Sequence, residues 1–157
     1  MILTRQIHEV KIVTEEHRYE MTSRWIRDKI VTIEIDGKDT FEVATPPDFW
    51  PESPPGVLSP EDLFVASIVS CYGVSLSGVS KRFHAEFNDF SIKAQGTLEK
   101  GEFGWEFAEI SLDVQIAVSS EQDRKRITKA AERAHRYCLV GNSLKCPVRL
   151  EYDIIVK

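Results

Sequence analysis

Residues 58–80, LSPEDLFVASIVSCYGVSLSGVS, constrain the fold more than any other part of the chain. Ser59 followed by Pro60 reads as an N-cap and a first-turn proline, and Glu61 and Asp62 set carboxylates against the unpaired N–H groups of a helix start. Beyond them Leu63, Phe64, Val65, Ala66, Ile68, Val69, Cys71, Tyr72, Val74, Leu76 and Val79 occupy almost the whole circumference of a helix. That pattern belongs to an element covered on most sides by other structure. Serines interrupt the run before eighteen consecutive apolar residues accumulate, so a membrane span is a poor fit. A central helix is therefore expected over 59–80 with Cys71 in its interior. Gly73 and Gly78 each cost roughly 1 kcal/mol there relative to alanine. Gly73, Ser77 and Ser80 fall near one side, which predicts the close approach of another element, a second copy of this helix included.

The flanking segments supply what such a helix would be buried against. Residues 1–45 read as an antiparallel N-terminal sheet. Ile7, Val10 and Ile12 approximate a strand, Tyr19, Met21, Trp25 and Ile30 continue the extended character, and Val31, Ile33 and Ile35 alternate before the hairpin pair Asp36 and Gly37. Phe41 and Val43 begin the return strand. Residues 46–58 form a proline-rich loop, and residues 45–56 hold five prolines and two large aromatics, a composition with little helix or central-strand potential. Phe49 and Trp50 are expected either to cap the core or to wall a pocket beside the helix start.

A long hairpin is expected over 85–118, turning at residues 99–102. Its first strand puts Phe90, Ile92, Ala94 and Gly96 on one face, and its second alternates strictly through Ile110, Leu112, Val114, Ile116 and Val118. A second helix is expected over 120–139. It begins at a serine cap, is amphipathic through Ile127, Ala130, Ala131, Ala134, Tyr137 and Cys138, and is stopped by Gly141 and Asn142. Val148, Leu150, Tyr152, Ile154 and Val156 alternate in a final strand over 148–156. The order predicts an α+β domain with antiparallel sheets packed around a buried central helix.

At 157 residues the chain fits a single domain with a real core. Its formal charge of -5 argues against nucleic acid or an anionic membrane surface as partner. The start MILTRQIHEVKI lacks the pattern of a secretory signal, so a cytoplasmic location is expected. Three widely spaced cysteines, Cys71, Cys138 and Cys146, do not make a disulfide framework. His8, His17, His84 and His135 have no ligand spacing with them; His135 and Cys138 at i and i+3 are too few for zinc, and no metal or other cofactor is expected.

Cys71 and Cys138 lie 67 residues apart, each on the inward side of a predicted helix. SPEDLFVASIVSCYGVSL followed by AERAHRYCLVGNSLKCPV resembles the paired signatures of the OsmC/Ohr family of thiol-dependent hydroperoxide reductases. The likeness extends over most of the chain and implies the OsmC-like fold, an intertwined homodimer with active sites at the subunit interface. It implies that Cys71 is the peroxidatic and Cys138 the resolving cysteine, that Glu61 is the acidic residue of the helix start, and that an arginine of the N-terminal sheet completes the site. Arg27 is the best positional match and Arg24 the alternate. An organic hydroperoxide would be the substrate, and an external dithiol or lipoyl-bearing protein the reductant. The chain departs from the family where Leu139 replaces a proline, Gly141 replaces a serine, and PPDFWPESPPG replaces a glycine-rich loop; Cys146 has no counterpart.

Glu61 and Cys71 are ten residues apart, so on one continuous helix their Cα atoms lie about 15 Å apart. Glu61 is then badly placed to serve Cys71 of its own chain. Two antiparallel copies of the helix would bring the start of one to the middle of the other, so an obligate homodimer is expected in which Glu61 and Arg27 serve the partner's cysteine. The rival expectation is a non-catalytic dimer of the same fold that binds a small apolar ligand or a protein partner.

Overall fold

The computed structural model describes residues 15–157, and the strand expected at Ile7, Val10 and Ile12 lies outside them. Two three-stranded sheets and two helices follow in the order β1 (Thr22–Arg27), β2 (Ile30–Glu34), β3 (Phe41–Ala44), α1 (Pro60–Arg82), β4 (Asp89–Gly101), β5 (Gly104–Val118), α2 (Glu121–Tyr137) and β6 (Val148–Val156). A 3-10 turn, Gly141–Ser143, separates the last two. The α+β reading holds.

The first sheet is antiparallel in the order β1-β2-β3. Its first turn is the short Asp28-Lys29 link, where Asp28 takes φ 44 and its carbonyl accepts the Trp25 indole N–H at 3.1 Å. The expected turn at Asp36 and Gly37 is present between β2 and β3, with Gly37 at φ 70, a backbone conformation that glycine adopts without a Cβ penalty. Every residue of β1 is exposed. The proline-rich segment is a closed excursion rather than a spacer: Leu58 returns beside β3, bridging Val43, and its carbonyl accepts from Ala44 N at 2.9 Å.

In the second sheet β5 lies between β4 and β6. The β4–β5 hairpin is antiparallel and turns at residues 102–103, three positions beyond the expected start of the turn at Glu99, because Glu99 and Lys100 still pair with Glu106 and Trp105. One pairing departs from the all-antiparallel expectation. Strand β6 runs parallel to β5, with Ile110 beside Val148 and Val118 beside Val156. The reason is topological: α2 carries the chain back along the sheet, and a strand reached through such a crossover runs in the direction of the one it left.

The core forms where α1 and α2 lie on the inner face of this sheet. Ile68, Tyr72, Leu76 and Val79 of α1 meet Ile110, Leu112, Val114, Ile116 and Val118 of β5 and Ile127, Ala130, Ala131 and Ala134 of α2. Strict alternation in β5 is thus explained by one face against helices and the other in water.

Helix α1 is less covered than its composition suggests. Its most apolar 18-residue window reaches mean hydropathy 1.7, sufficient by length and composition to cross a membrane, yet only 28% of that window is buried. A single chain supplies α2 and the sheet on one side only. On the other, Asp62, Ala66, Ser70, Val74 and Gly78 form an exposed ridge at four-residue spacing, with Val74 70% exposed. The small-residue side expected to receive another helix is partly spent within the chain: a Cβ on Gly73 would lie 3.4 Å from Ile92 and 3.7 Å from Phe90 of β4.

Candidate functional site

The start of α1 is held by a reciprocal cap. Ser59 Oγ accepts from Asp62 N at 3.0 Å while Asp62 Oδ2 accepts from Ser59 N at 2.8 Å. Asp62 is thereby committed to structure, satisfying helix-end donors that would otherwise lack partners. Its neighbour Glu61 is not. Glu61 Oε2 is buried and has no hydrogen-bond partner among the described residues. A buried carboxylate oxygen without a donor costs on the order of 1–3 kcal/mol.

Glu61 lies at one end of a groove of about 600 Å³ along α1, which Val65, Ala66, Val69, Leu98 and Phe107 line with apolar surface. Phe107 stacks on Phe64 with ring centroids 4.5 Å apart. Gly96 permits this, since a Cβ there would sit 2.6 Å from Phe107 and 2.8 Å from Val65. Sequence reasoning missed Phe107. The available signal was the irregularity just ahead of the strict alternation of β5, where the register shifts between Thr97 and Leu98.

Phe64 borders this groove through its stack on Phe107, whereas Tyr72 is wholly buried. Burial and the charge of Tyr152 push the Tyr72 phenol well above its ordinary range. Phe49 and Trp50 lie elsewhere. Phe49 packs edge-on against Trp105 near the hairpin tip at 5.6 Å, and Lys29 Nζ lies 6.0 Å over Trp50. They brace the proline-rich loop against its neighbours, which corresponds to neither alternative in full.

The two cysteines meet. Cys71 stands midway along α1 and is half-buried; Cys138 caps the C-terminus of α2 and is 2% exposed. The Cys71 thiol lies close enough to Cys138 to bear on its ionisation. Burial first, then the hydrogen bond and charge of Cys71, push the Cys138 thiol up to about 11, while the amides of Gly141 and Val140 pull it the other way. Gly141 N–H donates to Cys138 Sγ at 3.4 Å.

Helix α2 ends at Tyr137, ahead of the expected 139, so Cys138 is the cap itself with ψ 103. Asn142 supports that ending, as expected, by donating from Nδ2 to the Arg136 carbonyl at 2.9 Å. Leu139, beside the cysteine, points outward and is 77% exposed. Cys146 is half-buried against the core.

Neither arginine reaches this region within the chain. Arg24 pairs with Glu34 across the sheet at 3.3 Å, whereas among the described residues Arg27 has only Asp28 at 3.9 Å and a side chain 61% exposed. Arg27 is the less committed of the two. Glu61 and Cys71 stand on α1 and Cys138 at the end of α2, with Glu61 separated from Cys71 by almost half of the continuous 23-residue helix.

Residues 53–153 match a protein-family model described as OsmC-like protein. An uncharacterized protein of Methanocaldococcus jannaschii is 25% identical over 100 residues, covering 64% of this chain and 50% of the relative, so the chain spans about half the length of that curated protein. An OsmC-like protein of unknown function from Vibrio cholerae superposes with a TM-score of 0.78 at 21% identity, over 88% of this chain and 100% of that one. An organic hydroperoxide resistance protein from Elizabethkingia anophelis gives 0.70 at 19% identity, over 92% and 100% of the two chains. The corresponding protein of Bacillus subtilis gives 0.64 at 23%, over 88% and 98%. At these identities the likeness is one of fold.

Proposed function

The chain belongs to the OsmC-like protein family, and from that membership we propose that it is a thiol-dependent peroxidase that reduces organic hydroperoxides to alcohols. The observation that carries the reading is the closeness of the Cys71 and Cys138 thiols, drawn from two helices far apart in sequence. A disulfide between them requires Cα atoms within about 7 Å of one another.

The Cys71 thiolate attacks the distal peroxide oxygen. The O–O bond breaks, the alkoxide takes a proton to leave as alcohol, and Cys71 becomes a sulfenic acid. The Cys138 sulfur then attacks the Cys71 sulfur, and the sulfenic hydroxyl leaves as water with the Cys138 proton. A disulfide remains. An external dithiol, free or carried on a lipoyl protein, reduces it by exchange and is itself oxidised to a disulfide. Burial raises the Cys138 thiol and also shields it from peroxide, which leaves the half-buried Cys71 as the sulfur that meets the substrate. The apolar groove between Glu61 and Phe107 favours the organic group of a bulky hydroperoxide over hydrogen peroxide, which has no apolar surface to bury.

The same proposal includes a homodimer. The unpaired Glu61 oxygen calls for a donor, and Arg27 carries a guanidinium with little to hold it. The exposed ridge of Ala66, Ser70, Val74 and Gly78 is flanked by grooves, the shape that helix-on-helix packing uses. Packing a second α1 there brings Glu61 and Arg27 of one chain toward Cys71 of the other, where a bidentate pair orients the guanidinium beside the thiolate. Cytoplasmic residence belongs to this reading too, since the thiols must be returned to their reduced form.

Turnover of cumene hydroperoxide and hydrogen peroxide with a dithiol reductant tests it in wild type, Cys71→Ser and Cys138→Ser. The expected result is no turnover for Cys71→Ser, a trapped sulfenate in Cys138→Ser, and loss of two free thiols per wild-type chain after one equivalent of hydroperoxide. Wild-type turnover by Cys71→Ser refutes the nucleophile. Loss of no thiols favours a non-catalytic dimer that binds an apolar ligand in the groove.

A further inference from the structure

Resting on that reading, we propose that Arg82 and Tyr137 form an anion site at the far end of a second groove, where they hold the carboxylate of a long-chain hydroperoxide whose peroxide lies at Cys71. Cys71, Ser75, Gly78 and Arg82 follow one another at four, three and four residues within α1, which sets them in one stripe along the helix. A groove of about 330 Å³ runs beside that stripe, lined by Ser75, Gly78, Val79 and Arg82 of α1 and Tyr137 of α2. Ser75 stands one turn from Cys71, and Tyr137 directly precedes Cys138, so the near end of the groove adjoins the two cysteines. Of its lining, only Gly78 belongs to the ridge on which a second α1 is packed, and the groove therefore flanks that contact.

The far end offers donors and positive charge. The Arg82 guanidinium forms no ion pair among the described residues. Tyr137 Oη accepts from Arg133 Nη1 at 2.9 Å, which leaves the phenol's own proton to donate. Arg133 is itself held by two rings, with its guanidinium carbon 5.8 Å from the Phe83 centroid and 6.0 Å from that of Tyr137. Among the described residues no acidic side chain lines the groove, in a chain whose formal charge is -5. The last carbonyls of α1 carry partial negative charge that opposes an anion, and Lys81, Arg82 and Arg133 outweigh it.

The spacing sets the ligand. Cys71 and Arg82 are eleven residues apart, about 16 Å along the helix axis, and an arginine side chain tilts back toward the helix N-terminus. Sulfur and guanidinium are then roughly 10–16 Å apart, the span of an extended chain of about eight to twelve carbons. A fatty acid with its hydroperoxide in mid-chain meets that requirement. Its carboxylate arm lies along this groove against Val79 and the Tyr137 ring, and its alkyl tail runs the other way, toward the apolar groove at Phe107. A neutral ester of the same chain has the same apolar surface to bury but no charge for Arg82.

The test compares linoleic acid hydroperoxide with its methyl ester below the micelle threshold, with a dithiol reductant in excess, in wild type and Arg82→Gln. Arg82 is exposed, so its replacement leaves the core untouched. Wild type is expected to favour the acid by at least about tenfold in kcat/KM, through KM, and Arg82→Gln to bring the ratio near one. Equal kcat/KM for acid and ester in wild type, or a preference that survives Arg82→Gln, overturns the inference and leaves the peroxidase reading intact. Laurate, which carries no peroxide, gives a readout independent of turnover: by calorimetry it is expected to bind wild type at least about tenfold more tightly than Arg82→Gln. If neither hydroperoxide is turned over but laurate binds in this Arg82-dependent way, the peroxidase reading falls and the anion site stands. Laurate that binds both proteins equally, or neither, overturns the site.

Discussion

Gly96→Ala tests the packing that shapes the groove. The new Cβ would meet Phe107 Cε1 at 2.6 Å, Val65 Cγ2 at 2.8 Å and Phe107 Cδ1 at 3.1 Å. Real Cβ atoms do not tolerate such distances, and both neighbours are tied. Val65 is on α1, and the Phe107 ring is stacked on Phe64 at 4.5 Å with planes 21° apart. Overpacking of this kind costs about 1–3 kcal/mol. Displacing the ring forfeits a further ~0.5–1.5 kcal/mol of stacking. Alanine returns about 0.4–1 kcal/mol by restricting the unfolded chain. The net expectation is a loss of about 2 kcal/mol, or roughly 4–8 °C in Tm for a chain of this size. Urea denaturation at one fixed protein concentration measures it, and Phe107→Ala completes a double-mutant cycle. If the clash is the cause, Gly96→Ala is milder by at least about 1 kcal/mol when the ring is absent. A cost below about 0.5 kcal/mol in wild type, or an equal cost in both backgrounds, refutes the reasoning.

Three further outcomes are expected. Ser59→Ala removes an almost fully buried cap and leaves the Asp62 amide without its acceptor, a loss of about 1–2 kcal/mol readable in the same urea experiment. For Cys138 the raised position favours the protonated thiol in the fold; its contribution to stability is complete below the ordinary value of 9.0 and is lost as pH rises toward about 11. The denaturation midpoint should therefore fall across that window, and iodoacetamide should label Cys138 slowly at pH 8 and faster as pH approaches 11; rapid labelling at pH 8 contradicts the burial argument. If active sites are shared between subunits, mixing inactive Cys71→Ser with inactive Glu61→Gln after dissociation restores roughly a quarter of wild-type turnover, because half the dimers are mixed and each has one intact site. No recovery on mixing, with dimers present, places Glu61 with its own chain's cysteine.

The outward face of α1 illustrates where sequence reasoning reached its limit. Apolar residues on every side of a helix say that it must be covered, and residues 58–80 said so plainly. They do not say by what. Only the folded chain shows that Gly73 is taken up by Phe90 and Ile92 of its own sheet, leaving the ridge through Ala66, Ser70, Val74 and Gly78 open. Likewise the aromatics of the proline-rich segment could be recognised as needing shelter, yet their partners Trp105 and Lys29 lie in segments whose nearness depends on the whole topology.

What the sequence determined by itself is whatever rests on short-range periodicity and capping: the start of α1 at Ser59 and Pro60, the alternation of β5, the amphipathic α2, and the ten-residue separation of Glu61 from Cys71. These follow from backbone geometry within a few residues. The tertiary structure alone decided that Cys71 and Cys138 lie close together, that β6 lies parallel to β5, that Glu61 keeps a buried oxygen without a donor among the described residues, and that Gly141 aims its amide at a sulfur. Each of these joins groups brought together by packing, or depends on the angle at which the chain leaves a helix. No local pattern encodes such relations, because they are set by how whole elements dock to exclude water.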